Sequence, residues 1–519
     1  MIGSGFGGSL AAHALVEAGW SVLLIERGGW VERGEHNWAE DAVGPLTSHY
    51  GMEWAYRVDG EARPPTVASF HCVGGASVFY GGVSLRFRER DFEPPAEIVG
   101  DSGARWPFGY GELEPYYDEV ERLLGVAGEA GSDPVEPRRR APFPQRAGAL
   151  APVSRRLEAA ARDLGLHPFR LPLAINYAAL EGRGACVRCG SCDGFACAVS
   201  AKNDLPTVIL APLLRRGLRL ETDTVATRLV TEGGRVTAVE TVHRHTGERG
   251  RFAAPQVFLA AGALASPHLL LASGLERSNP AGEAIGRYLM RHYNEILFGI
   301  FPRRPNPEGV FHKHLGIHDF YFGDPAHPEL GPKLGALQQL TTPPPGLVRA
   351  EVPGPAGRLA ARYVGHLTGW LTIAEDQPQY ENRIRVQPGG TDRLGMPLAV
   401  VTHRHSARDY AAGKALGARA RQILRRAGAW AHYRHKVATF SHGVGTVRMG
   451  SDPRRAPLDP DCRFRGLDNL YVVDGSVMPT SAAVNPSLTI AANALRAARR
   501  LLARAEQAPE IRSRVATHD

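Results

Sequence analysis

Met1-Ile2-Gly3-Ser4-Gly5-Phe6-Gly7-Gly8 opens the chain, and its reading decides the fold. An apolar helical pattern follows from Ser9 to Ala18, then Gly19 breaks it, then Trp20-Ser21-Val22-Leu23-Leu24-Ile25 reads as a strand ending at Glu26. A glycine turn, a helix and a strand closed by an acid form most of a βαβ dinucleotide-binding unit. Gly3 permits the tight turn, Gly5 lets backbone approach a pyrophosphate, and Gly8 lets the helix pack on the sheet. The helix N-terminus offers N–H donors and partial positive charge to that pyrophosphate. Glu26, about 20 residues on, is placed to accept from ribose hydroxyls and disfavours a 2′-phosphorylated cofactor. Only Ile2 is available for the first parallel strand, which such a unit buries. The sequence therefore predicts a start downstream of the native one, with neighbouring strands short of partners.

Working outward, 519 residues exceed one hydrophobic core and imply two or more domains. A 43% hydrophobic and 22% charged composition is ordinary for a globular protein. The net charge of +8 is dispersed, apart from short clusters such as Arg138-Arg139-Arg140. No ladder of interleaved basic and aromatic residues appears, so no nucleic-acid partner is expected. The longest apolar stretch, 257–275, is broken by Gly262, Ser266, Pro267 and His268 and is not a membrane span. A cytoplasmic location is expected, with export left open by the early start.

Residues 106–125 begin as a turn and become an amphipathic helix, with Glu112, Glu114 and Asp118 favouring its N-terminal part. Residues 131–146, rich in proline and arginine, read as an exposed linker. Residues 219–260 alternate as strands around a Gly233-Gly234 hairpin turn. Residues 302–356, heavy in proline and glycine, predict long loops. A closing helix is expected over about 487–504.

Six stretches in fixed order carry a resemblance: the glycine motif to Glu26; Gly74-Gly75-Ala76-Ser77; WPFGYGELEPYYDEVERLLG; Val257-Phe258-Leu259-Ala260-Ala261-Gly262-Ala263; Gly286-Arg287-Tyr288-Leu289-Met290-Arg291-His292; and SHGVGTVRMG with the following LDPDCRFRGLDNLYVVDGSVMPTSAAVNPSLTIAANAL. The chain resembles the glucose–methanol–choline (GMC) flavin oxidoreductases, strongly at both ends and weakly in the middle third, and is similar to cholesterol oxidase and pyranose oxidase type members. The resemblance implies an α/β fold, with a Rossmann-like FAD-binding domain and a second, antiparallel-sheet substrate domain. It divides the chain into FAD-binding segments 1–120, 198–290 and 436–510, a linker and cysteine-rich insert 121–197, and a substrate domain 291–435. In that domain TIAEDQPQYENRIRVQP is similar to the family's pair of edge elements. The resemblance also implies FAD contacts from Gly3, Gly5, Gly8, Glu26, Gly74, Gly75, Ser77, Tyr80, Gly81, Val225, Ala261, Gly262, Asp474, Gly475, Asn485 and Pro486. The helix after Pro486 would aim its N-terminus at the flavin's N1–C2 carbonyl edge, where a positive end stabilises the reduced ring. Phe79 occupies the position of the histidine in members with covalent flavin, so the FAD should be noncovalent. Tyr80-Gly81-Gly82 stands where many members have Asn-Gly-Met, which alters the environment near flavin N5.

Alcohol oxidation removes a hydroxyl proton and a hydride. The resemblance puts a histidine base at His442, whose ordinary pKa suits the task. It puts an oxygen-holding amide at Asn485, able to donate to a developing alkoxide. Four of the six cysteines fall at Cys186, Cys189, Cys192 and Cys197. Their spacing, C-x2-C-x2-C-x4-C, departs from the ferredoxin run at its last step. Free thiols or a disulfide, an iron–sulfur cluster, and zinc stay open there, and no other metal site is expected. The expected activity is oxidation of an alcohol, with sugars and polyols favoured, and with oxygen or an acceptor protein taking the electrons. A sterol or other alcohol oxidase and a non-redox FAD lyase are the alternatives.

Overall fold

The computed structural model describes residues 1–43, 56–59, 70–179 and 183–507. Parts of the 1–120 segment, residue 180–182 of the insert, and the last three residues of 436–510 lie outside these. The glycine motif sits on a parallel sheet. Strand Leu23–Ile25 pairs with Arg219–Glu221, and Val257–Leu259 pairs with Leu470–Val472. Ile2 bridges the two pairs, parallel to both Leu259 and Ile25. Its N–H donates to the Phe258 carbonyl at 2.8 Å, and its carbonyl accepts from Ala260 N at 2.8 Å. The expectation of partnerless strands is thus not met: the Met1 carbonyl also accepts from Ile25 N at 2.9 Å.

The helices Phe6–Glu17 and Ser487–Gln507 pack on each other, and Tyr110–Leu123 packs on the latter. The first is apolar around most of its circumference and is accordingly buried over ten of its twelve residues. Tyr110–Leu123 carries the predicted Glu112 in its first turn. The predicted hairpin is formed by Thr224–Glu232 and Arg235–His243, with Arg249–Phe252 as a third strand.

A second sheet is antiparallel, in the order Ala431–Lys436, Tyr293–Ile300, Leu367–Ala374, Gly335–Leu340, Leu315–Ile317, Phe169–Arg170. The helix Ala407–Arg426 covers it, and Leu297, Trp370, Leu416 and Ile423 share its core. Three readings differ here. The stretch 302–356 supplies two of these strands, because its Pro and Gly residues fall between short apolar runs. The pair of edge elements is not a pair: Leu367–Ala374 lies mid-sheet, while Arg383–Thr391 joins Pro397–Thr402 and Arg57–Asp59 in another sheet. The 131–146 linker is pinned by charge, since Arg139 makes a bidentate pair with buried Glu121, 2.7 Å on each arm.

Candidate active site

A cavity of about 380 Å³ opens over the glycine turn, lined by Gly3, Gly5, Glu26, Val225, Gly262 and Asp474 among others. Gly3 has φ +94°, and a Cβ there would lie 2.4 Å from the Ala260 carbonyl oxygen. Gly5 is different: a Cβ there would meet no atom within 4 Å, so bare backbone faces open space. That is the clearance an approaching pyrophosphate requires. Gly8 packs the helix on the turn itself, 1.9 Å separating its hypothetical Cβ from the Gly3 oxygen. Gly7, not singled out from sequence, presses on the Val473 carbonyl in the same way, at 2.3 Å.

Glu26 is buried at the cavity's edge. One carboxylate oxygen accepts from Ser4 N at 3.0 Å and Ser4 Oγ at 2.6 Å, and the other accepts from Gly28 N at 3.0 Å. Burial raises its pKa, and these hydrogen bonds oppose the rise. Ser4 Oγ also accepts from Gly74 N at 2.8 Å, which docks the second glycine loop on the first. Gly75 and Ala76 of that loop reach the cavity. Gly74 instead packs on Pro206, and Ser77 faces inward, donating to the Gly74 carbonyl at 2.8 Å and accepting from Leu205 N at 3.1 Å. The Tyr80 phenol turns to the Asn203 carbonyl at 3.0 Å. Phe79 is buried and stacks on Phe70, with ring centroids 5.1 Å apart. Ala261, Gly262 and Gly475 line the cavity. Asp474 joins the chain's remote segments: one oxygen accepts from Gly262 N at 2.9 Å and from Ser266 Oγ, the other from Ser476 N at 2.8 Å. Ser441 and Gly443 line the cavity too, so it runs up to His442.

His442 and Asn485 meet, with Asn485 Nδ2 3.2 Å from His442 Nε2. Both are half-buried. Pro486 follows and is buried, and its carbonyl accepts from Ile490 N at 2.9 Å in the first turn of the closing helix. Two further side chains complete the constellation. Gln338, from the antiparallel sheet, donates Nε2–H to Asn485 Oδ1 at 2.7 Å. His292 places its Nδ1 3.0 Å from His442 Nδ1. Burial lowers the pKa of His442 well below the ordinary range, and the neighbouring His292 and Lys313 lower it further. The imidazole is therefore neutral near pH 7, with a lone pair to offer. Lys313 is itself paired with Asp193 at 2.7 Å.

The GMC oxidoreductase family matches the chain twice, its N-terminal part over residues 7–294 and its C-terminal part over 378–494. The chain belongs to the GMC oxidoreductases. It is 33% identical over 519 residues to 6'''-hydroxyparomomycin C oxidase of Streptomyces lividus, covering 96% of this chain and 90% of that protein. Paromamine 6'-oxidase of Streptomyces fradiae is 33% identical over 529 residues, with the same coverage of 96% and 90%. Among solved structures, the fold is similar to pyridoxine 4-oxidase from Mesorbium loti, with a TM-score of 0.66 and 23% identity over 97% and 98% of the two chains. This GMC protein is an FAD-dependent oxidoreductase acting on CH–OH donors.

Two groups outside the cavity bear on metals. Cys186, Cys189, Cys192 and Cys197 are free thiols. Burial pushes Cys192 up to about 12 and raises Cys186. Among the described residues, Asp376, His403 and His405 form the one trio of ligand-type side chains with donor atoms within 4.8 Å of one another. No three of these sulfur atoms lie within 4.8 Å of one another. They add no support for an iron–sulfur cluster. Instead the segment packs over the second glycine loop: Gly194 N donates to the Phe79 carbonyl at 2.8 Å, and Lys202 Nζ ties the Tyr80 and Phe195 carbonyls at 2.9 and 2.6 Å. Its member that approaches the site is Asp193, through Lys313. The Asp376 trio is crossed by a cation, with Arg291 Nε donating to His403 Nδ1 at 3.3 Å. It serves as a polar network behind His292. No described helix is long and apolar enough to cross a membrane.

Proposed function

We propose that this GMC oxidoreductase oxidises a hydroxyl group of a sugar or related polyol, with His442 as base and Asn485 as oxygen clamp. The observation that carries the reading is the Asn485–His442 contact of 3.2 Å, beside the Ser441 and Gly443 that line the cavity. A substrate hydroxyl inserted between the two would donate its proton to His442 Nε2 and accept from Asn485 Nδ2. Gln338 holds the Asn485 oxygen, so the amide presents its N–H side to the substrate. As the O–H bond breaks, that N–H stabilises the growing negative charge. Bound FAD supplies the hydride acceptor. Gly3, Gly5, Glu26, Gly75, Val225, Ala261, Gly262 and Gly475 would hold it, with Asp474 tying their segments together.

A hydroxyl-rich substrate is favoured over a sterol by the polar character of the surroundings. Gln338 Oε1 is buried without a hydrogen-bond partner among the described residues, and the Lys313–Asp193 pair stands nearby. An apolar substrate would leave the Gln338 oxygen unpaired and add nothing to the polar pair, and an unsatisfied buried group costs about 1–3 kcal/mol. The two Streptomyces relatives are named for oxidation of hydroxyl-bearing amino sugars, in keeping with this reading. Anaerobic bleaching of the flavin tests it across amino sugars, neutral sugars, alkanediols and sterols. Reduction by sugars or polyols at least tenfold faster than by sterols is expected; preferential reduction by sterols would reverse the assignment. Flavin that no alcohol bleaches would point to the lyase alternative.

A further inference from the structure

We propose that His292 is a positioning residue that fixes the tautomer of His442, so that the lone pair facing the substrate is on Nε2. The inference rests on the reading of His442 as base. Its evidence is a hydrogen-bonded chain with one permitted direction. His292 Nε2 lies 3.1 Å from the Ser481 carbonyl oxygen. A carbonyl only accepts, so His292 Nε2 carries a proton. Burial lowers the His292 pKa, so the ring is neutral and its Nδ1 holds a lone pair. The Nδ1–Nδ1 contact of 3.0 Å then requires the proton on His442 Nδ1. His442 Nε2 is left bare, accepting from Asn485 Nδ2 at 3.2 Å, and Asn485 Oδ1 accepts from Gln338 at 2.7 Å. The reverse direction would set the bare Nε2 of His292 against the Ser481 carbonyl, lone pair to lone pair. One carbonyl thus orients four side chains.

The anchor is built to stay in place. Ser481 Oγ donates to Asp376 Oδ1 at 2.8 Å, and Ala482 N donates to Glu375 Oε1 at 3.0 Å. Asp376 Oδ2 accepts from Arg291 N at 2.8 Å, so one carboxylate grips both sides of the contact. Both sides also carry unusual backbone: His292 has φ +61° and Ala482 has φ +53°. Left-handed non-glycine backbone is strained and persists where the surroundings over-determine it. Here it aims an imidazole and a carbonyl at each other. His405 Nε2, 3.1 Å from the His292 carbonyl, holds the backbone from behind.

The substrate hydroxyl would give its proton to His442 Nε2, bound FAD would supply the acceptor for the hydride on carbon, and a carbonyl product would remain. His442 becomes an imidazolium whose Nδ1–H still donates to His292 Nδ1. The chain ends on a carbonyl, which takes no proton, so the positive charge stays within the His442–His292 pair. The role is that of the orienting partner in a catalytic triad, here played by a neutral ring.

Two measurements on the FAD-loaded enzyme test this. Histidine-selective 15N NMR should show His442 protonated at Nδ1 and bare at Nε2. A resting His442 with its proton on Nε2 would overturn the proposal whatever any variant does. The second is a pair of substitutions. His292→Gln keeps a donor for Ser481 and an acceptor for His442, and should retain flavin reduction within about threefold of the parent. His292→Leu removes both and should slow reduction roughly 10–100-fold with KM nearly unchanged, less than the loss of a charged triad partner. It should also mix the His442 tautomers in the 15N spectrum. Equal rates in both variants, with the His442 tautomer unchanged, would contradict the proposal. If His442→Ala itself reduces at the parental rate, the base assignment fails, while the NMR result still decides the tautomer.

Discussion

At the scale of single residues, the proposed base His442 sits where burial and neighbouring positive charge act on its imidazole together. Burial, His292 and Lys313 all favour its neutral form. A base must be unprotonated to act, and protons compete only below its pKa. Lowering that pKa therefore moves the acid limb of kcat/KM downward, below the ordinary value of about 6.5. The profile between pH 5 and 9 should be flat from about pH 6 to neutrality. An acid limb centred at or above 6.5 would mean that another group, or a more hydrated His442, takes the proton. Phe79 makes a second residue-scale prediction. It fills the covalent-histidine position with a stacked, unreactive ring. Acid precipitation of the native enzyme should release all yellow colour to the supernatant, and colour kept in the pellet would refute noncovalent binding.

At the scale of elements, the opening turn separates two uses of glycine. Gly7 carries helix packing, since a methyl group there would intrude to 2.3 Å on the Val473 carbonyl. Gly7→Ala should cost about 1–3 kcal/mol in unfolding free energy, the usual toll of overpacking. Gly5→Ala meets no atom of the described residues and should cost under about 1 kcal/mol, yet it would fill space that the proposed pyrophosphate site needs. It should fold and purify with much reduced flavin. Thermal melts of flavin-stripped protein and the 450 nm absorbance of purified samples read the two effects separately. A Gly5→Ala enzyme with full flavin would remove the turn from the cofactor site.

The same contrast explains what was legible in the sequence. The glycine turn, Glu26, the Gly233-Gly234 hairpin and the closing helix are local signals, set by residues within one element of each other. SHGVGTVRMG and Asn485 were readable through resemblance. His292 lay inside a quoted motif, but nothing local says that its ring meets one 150 residues away. Gln338 lies 147 residues from Asn485, in a stretch whose prolines and glycines read as loop. Asp193 was overshadowed by its cysteine neighbours, and its partner Lys313 is 120 residues distant. Polar contacts of this reach are products of topology, and no periodicity announces them. The Ser77 hydroxyl is likewise set by a distant partner, held between the Gly74 carbonyl and the Leu205 N–H.

At the scale of the whole molecule, the cavity proposed for FAD is lined from the N-terminal, middle and C-terminal parts of the chain at once. Asp474 fastens the latter two through Gly262 and Ser266. A ligand that touches all three should stabilise them together, because it binds only the folded arrangement. Removing FAD should lower Tm by several degrees, and re-adding it should restore the loss. An unchanged Tm would mean that the three parts hold together without the cofactor's help. The sheet carrying Gln338 and the segment carrying His442 and Asn485 meet through the Gln338–Asn485 and Asn485–His442 contacts, and the proposed chemistry belongs to that junction. The most direct test of that account is anaerobic stopped-flow reduction of FAD-loaded His442→Ala by a sugar or polyol that reduces the parent enzyme. The account predicts full flavin occupancy and a rate lower by about 10²–10⁴-fold, the usual worth of a general base. Reduction at near-parental rate would contradict it.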